Sequence, residues 1–347
     1  PLIVFAKLMI NMQFPLGAHR EAVIARLGEY PLVLVPQDTT TLNYTGHCDT
    51  AGLGPIGSKS EDGPVGLGLH NSHAFTPDGV PLGVVSATCW AHDPAAHQTR
   101  REPDVRNSGR WLAAYQTLAD LAPRVPQTTL VSIGDREADL FELFTLARDP
   151  HRPRLLVRAN RGRQRQVMHD DQLTPLWDHL GGLAVAGRLA LQLPRRGSQP
   201  ARTAAVELRF GPVTLKPPQA LKDAPLALWA VYLREAAPPP GVAGVNWLLM
   251  TNVATTTLAE AQERLRWYGA RWGIEIYQTW CLRTDKVTWK KPRSPHRRRH
   301  DAVGARGVAP GVSRASAQAR WHRPRSATDD GRHARPGVPA GGLCRAS

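Results

Sequence analysis

The sequence lacks several features that would place it in common protein classes. Its 347 residues contain no apolar run of 18 or more residues and no basic-then-apolar leader, so neither a membrane-spanning helix nor a secretory signal is expected. Its four cysteines are far apart and form no Cys-x-x-Cys pair, which argues against a disulfide framework and a zinc site. We therefore expect a soluble, cytoplasmic protein without a membrane partner. The length suffices for one large or two ordinary domains.

Acidic residues are scarce mainly in one part of the chain. Of 44 Lys and Arg and 29 Asp and Glu in all, 16 and 4 respectively lie in residues 283–347, which therefore carry +12 of the net charge of +15. The preceding part is close to neutral, at +3. Bulk charge is therefore no argument that the folded part binds nucleic acid.

Two apolar strands each lead into an aspartate. Residues 32–35 are followed by Asp38, and residues 128–133 are followed by Asp135. The ends of strands are where α/β proteins collect their catalytic groups. A turn or cap role is the commoner interpretation of one such aspartate. Two apolar strands that are each followed by an aspartate make a more specific pattern than either strand alone.

A third acid lies on a predicted helix. Thr257 begins a Thr-x-x-Glu capping box, which predicts one helix over residues 258–282. Tyr268, Arg271 and Glu275 are spaced by three and four residues and share one face of that helix. A surface ion pair of Arg271 with Glu275, worth only about 0.3–0.5 kcal/mol, is the alternative interpretation.

Three carboxylates from distant segments suit hard divalent cations, because Mg²⁺ takes oxygen ligands and few of them from protein. Two such ions about 3.5–4 Å apart can activate a water and stabilise the leaving oxygen of a phosphoryl displacement. The strand candidates 67–75 and 80–88 form a hairpin ahead of alternating strands and helices. This order favours a ribonuclease-H-like α/β domain.

Residues 152–254 have little helical periodicity, and Pro and Gly clusters separate their strand-like pieces. We interpret them as a β-rich insertion between the second aspartate and the helix. The basic cluster Arg158–Arg165 is either solvated surface or a set of phosphate contacts. Trp247 is a core aromatic on composition alone.

Four stretches together resemble bacterial DDE transposases of the insertion-sequence-four type. They are QDTTTLNYTGH at 37–47, GDREAD at 134–139, NWLLMTN at 246–252 and YGARWGIE at 268–275. They follow the family's order over about residues 30–285, with a β insertion in the family's place. The resemblance implies a truncated transposase catalytic domain: an α/β, ribonuclease-H-like fold, interrupted by a β-rich insertion, that cleaves DNA and transfers the strand.

The resemblance also implies roles for individual residues. Asp38, Asp135 and Glu275 match the catalytic, metal-binding carboxylates, with Mg²⁺ or Mn²⁺ expected in a two-metal site. Tyr268 and Arg271 match the Tyr-x-x-Arg-x-x-x-Glu signature, whose Tyr and Arg contact DNA near the cleaved phosphate. The other residues expected to bind DNA are Trp247, by stacking on a flipped base, and Arg136, Arg110, Arg158 and Arg283. The expected partners are transposon-end and target DNA and a second copy in a synaptic homodimer, at the nucleoid.

Two departures from the family pattern stand out. Leu282 occupies the position of the signature's phosphate-binding Lys, so Arg283 would have to substitute from about 100° around the helix. The family's N-terminal DNA-recognition helices are absent, the opening lacks an initiator Met, and the C-terminal helical portion is not recognisable. A catalytically inactive DNA-binding remnant and another ribonuclease-H-like nuclease are therefore alternative functions, ahead of a plain structural protein.

Residues 284–347, the tail of the chain, have two interpretations. The tail is either a basic, disordered arm for DNA or a stretch translated out of frame, and we favour the second because the family pattern stops where the composition changes. We divide the chain into a remnant segment (1–30), the first part of a ribonuclease-H-like domain (31–151), a β-rich insertion (152–254), the catalytic helix (255–283) and a low-complexity tail (284–347).

Overall fold

The computed structural model describes residues 17–46, 50–56, 63–92, 104–170, 172–193, 195, 200–281 and 321–322. Its helices are α1 (17–27), α2 (Asp104–Leu121), α3 (Phe141–Leu146), α4 (Leu176–Gly182), α5 (Leu258–Gly269) and α6 (Trp272–Cys281). Its strands are β1 (Leu32–Asn43), β2 (Gly54–Pro55), β3 (Val65–Phe75), β4 (Pro81–Trp90), β5 (Thr129–Gly134), β6 (Arg154–Arg158), β7 (Gln166–His169), β8 (Gln172–Pro175), β9 (Gly187–Leu193), β10 (Arg202–Leu215), β11 (Leu226–Glu235), β12 (Asn246–Thr251) and β13 (Trp321–His322).

These strands form one mixed sheet, which confirms the predicted α/β class. Its order is β13-β9-β10-β11-β12-β6-β5-β1-β3-β2, with β4 beside β3 and the pair β7–β8 attached to β10. β1 pairs antiparallel with β3 and parallel with β5, and β5 pairs parallel with β6. None of the helices described is both long and apolar enough to cross a membrane.

Alternate residues of β1 pack into opposite layers. Val33 and Val35 lie in a buried cluster with residues of α1 and α2, whereas Leu34 lies in a cluster with residues of α5. Successive side chains of a strand point to opposite faces. The side chain of Asp38 is therefore on the α5 face of the sheet, and its neighbours Gln37 and Thr39 are on the α2 face.

The strands of the predicted insertion extend the same sheet. β6 lies beside β5, and β12 pairs antiparallel with β6 through Leu249 and Arg158. β11, β10 and β9 follow in antiparallel order. The short helix α4, with Leu176 and Leu180 fully buried, was not predicted in this segment.

The predicted single helix over residues 258–282 is wrong in one respect, because the chain forms two helices. The break falls at Ala270 and Arg271. The N–H of Ala270 is shared between carbonyls three and four residues earlier, and the N–H of Arg271 bonds to the carbonyl of Tyr268, three residues earlier. Such tight turns interrupt α-helices at strained or hinge positions. Gly269 and Gly273 flank the break, and glycine has a low helix propensity.

The first strand is also longer than predicted. The sequence predicts that this strand ends near Asp38. In the structure β1 continues to Asn43, because residues 37–43 remain paired with β3 after the pairing with β5 has ended. The β3–β4 hairpin agrees with the prediction. Gly79 has the expected positive φ, of 84°, and the N–H of Thr76 donates to the carbonyl of Val80.

The close approach of α6 to β3 yields a testable prediction. A Cβ atom on Gly273 would lie 2.8 Å from the ring of Phe75, which is buried. We expect Gly273→Ala to lower the free energy of unfolding by about 1–3 kcal/mol in urea denaturation, because the ring or the helix must shift. Gly109→Ala is the matched control, since that helical glycine has no neighbour within 4 Å; it should raise stability by about 0.4–1 kcal/mol. Equal effects of the two substitutions would contradict the prediction.

Candidate active site

Asp38 and Asp135 occupy equivalent positions on neighbouring strands. β1 and β5 pair in parallel up to Pro36 and Ile133, and each aspartate follows two residues later. Neighbouring strands lie about 4.8 Å apart. Two acids that are 97 positions apart in the sequence (38 and 135) therefore emerge side by side where the pairing of β1 with β5 ends.

The turn that carries Asp135 is tight. The Asp135 side chain accepts a 2.8 Å hydrogen bond from the N–H of Glu137 and caps a short 3₁₀ turn. A Cβ atom on Gly134 would lie 2.3 Å from the Cβ of Ala138 and 3.3 Å from the Trp111 ring. Glycine at this position thus allows the chain to turn directly after the strand, which fixes where the aspartate emerges.

Arg271 connects Glu275 to Asp38. Its Nη2 donates to Glu275 Oε1 at 2.5 Å, and its Nη1 lies 3.8 Å from Asp38 Oδ2. The Arg271 side chain is 11% exposed, and its Nε is buried without a hydrogen-bond partner. The third acid is therefore joined to the first through a guanidinium group, and not by direct contact.

A contact that sequence analysis missed holds α6 beside Asp38. Asn71 on β3 is the cross-strand neighbour of Asp38, and its Oδ1 accepts a 2.9 Å hydrogen bond from Gln278 Nε2. Gln278 lies one turn after Glu275. The Nδ2 of Asn71 is buried without a partner. No local sequence signal indicates this pair, because it forms only when a late helix packs on an early strand.

Burial is the largest influence on the Asp38 carboxyl group. Burial raises the pKa of Asp38 from 3.8 to about 6. The Arg271 charge and the N–H of Thr39 act in the opposite direction, and the charges of Asp135 and Glu275 add to the rise. Asp38 and Glu275 share Arg271, and Asp135 adds a third negative charge that acts on Asp38, so negative charge exceeds the one arginine in this set.

The side chains fit a divalent cation in some respects only. Carboxylate oxygens are the donors that Mg²⁺ and Mn²⁺ take, and the excess negative charge suits such an ion. In the part of the chain that the structure describes, however, no three His, Cys, Asp or Glu side chains are grouped closely enough to hold one. The Arg271 guanidinium occupies the position between Asp38 and Glu275. As arranged here, the acids therefore do not form a divalent-cation site.

A buried polar network lies on the opposite face of the same strands. Gln37 Nε2 donates to Ser132 Oγ at 2.8 Å, and Gln37 Oε1 lies 3.3 Å from His70 Nε2. His70 Nδ1 lies 2.9 Å from Thr39 Oγ1. Burial, with the charge of Arg110, lowers the pKa of His70 to about 4, so the imidazole is neutral at neutral pH. The network joins β5, β1 and β3 directly behind Asp38, and sequence analysis missed it.

The predicted DNA-binding residues are distributed unevenly. Tyr268 is 2% exposed and contacts the Trp247 ring edge-on at 5.9 Å, while Arg158 lies 5.4 Å from that ring. These three residues form a cluster next to Arg271, whose guanidinium is 5.9 Å from the Tyr268 ring. At 2% exposure, Tyr268 would reach a DNA strand only if its neighbours moved.

Two of the remaining three lie outside this cluster. Arg136 is exposed and directly follows Asp135. Arg110 lies on the α2 side of the sheet, 3.7 Å from the Trp90 ring, and is not grouped with the acids. Arg283 is outside the described residues.

The raised pKa of Asp38 predicts a pH-dependent penalty to folding. Between about pH 4 and pH 6 the folded protein holds a proton that the unfolded chain releases, so stability falls as the pH rises through this window. Asp38→Asn removes the titrating group. We compare the free energy of unfolding of Asp38→Asn with that of the unaltered chain, both without divalent cations. The difference in favour of Asp38→Asn should increase by about 2–3 kcal/mol from pH 4 to pH 7.

Urea denaturation at several pH values measures this gain. Asp78→Asn, in the exposed turn of the β3–β4 hairpin, corrects for the loss of one surface carboxylate. A gain that is constant, or that shrinks with rising pH, would show that Asp38 is not held in a desolvated position.

Comparisons with known proteins leave the family open. No protein-family model matches the chain. Among solved structures, the chain is similar to the NurA nuclease from Sulfolobus solfataricus, with 10% sequence identity and a TM-score of 0.29, over 77% of this chain and 85% of that chain. A likeness of this extent establishes neither a shared fold nor a shared activity.

Proposed function

We propose that this chain is the catalytic part of a DDE transposase of the insertion-sequence-four type, which cleaves DNA at transposon ends and transfers the freed strand to target DNA. One observation carries the proposal. Asp38 and Asp135 emerge side by side from adjacent parallel strands, and Glu275 is joined to Asp38 through Arg271. The three acids come from three of the stretches that carry the family resemblance.

The strand order supports a ribonuclease-H-like core. The antiparallel strands β1, β3 and β4 come first, and β5 and β6 then add in parallel on the other side of β1. This is the sequence of hairpin strands followed by strand–helix alternation on which the fold prediction was based. The acids lie beyond the ends of the β1–β5 pairing, as a catalytic site in such a sheet requires.

The proposed chemistry assigns each group a task. Asp38, Asp135 and Glu275 would hold Mg²⁺ or Mn²⁺, which when bound supplies charge for the phosphodiester transition state and for activation of the attacking water. The Gln37–Ser132 and Thr39–His70 contacts keep Asp38 level with Asp135. Trp247, half-buried between Arg158 and Tyr268, offers a ring for base stacking, worth about 1–3 kcal/mol per base.

The positive groups around the acids would bind the DNA backbone. Arg136 is exposed beside Asp135, and Arg158 borders the Trp247 cluster. Arginine binds phosphate through paired N–H donors. We propose that they follow the DNA strand past the acids, and that a second copy completes a synaptic dimer.

A catalytically inactive DNA-binding remnant is the second candidate. The observation that favours it is the 2.5 Å contact between Arg271 and Glu275, which engages the third acid with a protein cation. The replacement of the signature's Lys by Leu282 in the sequence also favours this candidate. On this candidate the chain would bind end-containing DNA with Mg²⁺ present and leave both strands intact.

Substitution of Asp135 tests the assignment. Because the loss of even a supporting partner of a metal ligand costs 10–100-fold, Asp135→Ala should lower nicking by at least about a hundredfold. Binding of the same DNA should not weaken, since a negative charge is removed. The assay uses the full chain, Mg²⁺ or Mn²⁺ and a duplex with any inverted repeats found in the DNA that flanks the gene, and gels report nicking and mobility shift. Glu142→Gln, an exposed acid on α3, is the control.

Each outcome selects one candidate. Retained nicking by Asp135→Ala would refute the assignment of the three acids. Binding without nicking by the unaltered chain would establish the inactive remnant. Equal cleavage of duplexes with and without the repeats would instead identify a ribonuclease-H-like nuclease without end recognition.

A further inference from the structure

A cleft of about 400 Å³ opens beside α2, on the α2 face of the sheet. Trp111 and Leu140, both almost fully buried, supply its apolar lining. Asn160, Gly162 and Arg163 are among its polar lining residues. Sites for small ligands have volumes of about 300–1,000 Å³ and combine an apolar lining with a few polar groups. The cleft is therefore large enough for one nucleotide. It is separate from the three acids, none of which is among its described lining residues.

A buried carboxylate holds the walls of the cleft together. Asp139 is fully buried and directly follows the 3₁₀ turn Arg136–Ala138. Its carboxylate accepts a 3.0 Å hydrogen bond from Arg165 Nε and a 2.7 Å hydrogen bond from the N–H of Asn160. Asn160 and Arg165 lie on either side of a second 3₁₀ turn, Arg161–Arg163. Both turns are thus tied to one side chain, so the cleft exists before any ligand binds.

The second turn presents donors to the cleft. Arg163 is exposed there. The Oδ1 of Asn160 accepts a 3.0 Å hydrogen bond from the N–H of Gly162, so the Nδ2 of Asn160 is the group that this side chain can offer to a ligand. A Cβ atom on Gly162 would meet only that Oδ1, at 3.3 Å, and approach to the turn is therefore open. Guanidinium and amide N–H groups are typical donors to phosphate oxygens.

We propose that this cleft binds one nucleotide of a single DNA strand, with the phosphate on Arg163 and Asn160 and the sugar or base against Trp111 and Leu140. The inference rests on the proposed function, because it takes DNA as the ligand. It goes further by placing a second contact region on the sheet face opposite to Asp38.

The remaining lining residues orient the nucleotide. Ser108 and Glu137 also line the cleft, and both have partners within the protein. A carboxylate and a phosphate repel each other. The charge of Glu137 therefore directs the phosphate to the Arg163 side, and a sugar hydroxyl or a base N–H group towards Glu137.

Basic and aromatic groups continue on both sides of the cleft. Arg136 is exposed on the first turn, directly after Asp135. On the second turn, the guanidinium of Arg161 lies 5.0 Å from the ring of Trp177, which is half-buried. Single strands bind along basic surfaces interleaved with aromatic rings. Since a free nucleotide would use neither flanking arginine, the surface favours a strand that passes from the acids over the Asp135 turn into the cleft.

Fluorescence anisotropy of the full chain tests the proposal, with a labelled single strand of about ten thymidines and no divalent cation. Arg163→Gln should weaken binding by at least about fivefold and lower the slope of log affinity against log salt by about 0.7, as expected for one phosphate contact to a single strand. Arg188→Gln makes the same change in net charge on β9, far across the sheet, and should leave the affinity within about twofold. Equal effects of the two substitutions would overturn the proposal.

Hydrogen–deuterium exchange needs no substitution. Residues 161–164 form an exposed turn, whose amides exchange through local opening that a bound strand opposes. A saturating amount of the strand should slow exchange in this turn and leave that of β9 unchanged. Unchanged exchange in the turn would overturn the proposal even if Arg163→Gln fails to fold.

Competition identifies the source of the nucleotide. Thymidine monophosphate and inorganic phosphate should displace the labelled strand far less well than the unlabelled strand does. Displacement by thymidine monophosphate at the same nucleotide concentration would identify a site for free nucleotides and overturn the strand.

The two hypotheses fail in different ways. If the unaltered chain binds the strand and Arg163→Gln binds it as well as Arg188→Gln does, the cleft has no such role and the proposed function stands. If the unaltered chain binds end-containing duplex but not the single strand, the cleft proposal alone fails. If it binds neither DNA, both fail.

Discussion

The parallel pairing of β1 with β5 is the constraint on which the candidate site depends. A slip of one residue would turn Asp38 to the α2 face and bring Gln37 to the α5 face, because side chains alternate along a strand. The apolar residues Val33, Leu34 and Val35 are all buried, on both faces of the sheet. A slip would therefore exchange one apolar side chain for another, and only their different shapes oppose it. The buried contacts of Gln37 with Ser132 and of Thr39 with His70 can form in one register only. The polar network behind Asp38 therefore helps to fix the register that places Asp38 on the same face as Arg271.

The same region concentrates buried groups that are poorly satisfied. Asp38 is desolvated beside two other acids, and Asn71 Nδ2 and Arg271 Nε are both buried without partners. A buried donor without a partner costs about 1–3 kcal/mol, and folded proteins leave few such groups. Because these groups lie around the Asp38 carboxylate, this part of the fold is less stable than it would be with each buried group satisfied.

The sequence predicted those features that depend only on residues close together in the chain, such as a helix start and a hairpin turn. The Thr257 capping box is present, and the turn ending at Gly79 forms the expected hairpin. The break at Ala270 was not predictable, because it accompanies the packing of Gly273 on Phe75, which lies nearly two hundred residues earlier in the sequence. The same holds for the bond between Asn71 and Gln278 and for the polar network. The strand ends indicated where the aspartates would emerge, but only the packed structure shows an arginine between two of the acids.

The β-rich segment positions the third acid, although it carries none of the three. Its strands join the rest of the sheet through the parallel pairing of β6 with β5, and the cluster beneath α5 combines Leu34 and Val131 of the first part of the chain with Val231 and Leu249 of the segment. α5 buries Leu265 and Tyr268 in that cluster. The helix that leads to Arg271 and Glu275 therefore rests on strands from both parts. Since β1 and β5 fix the two aspartates, the distance from them to Glu275 depends both on this cluster beneath α5 and on the packing of α6 against β3 through Gln278 and Asn71.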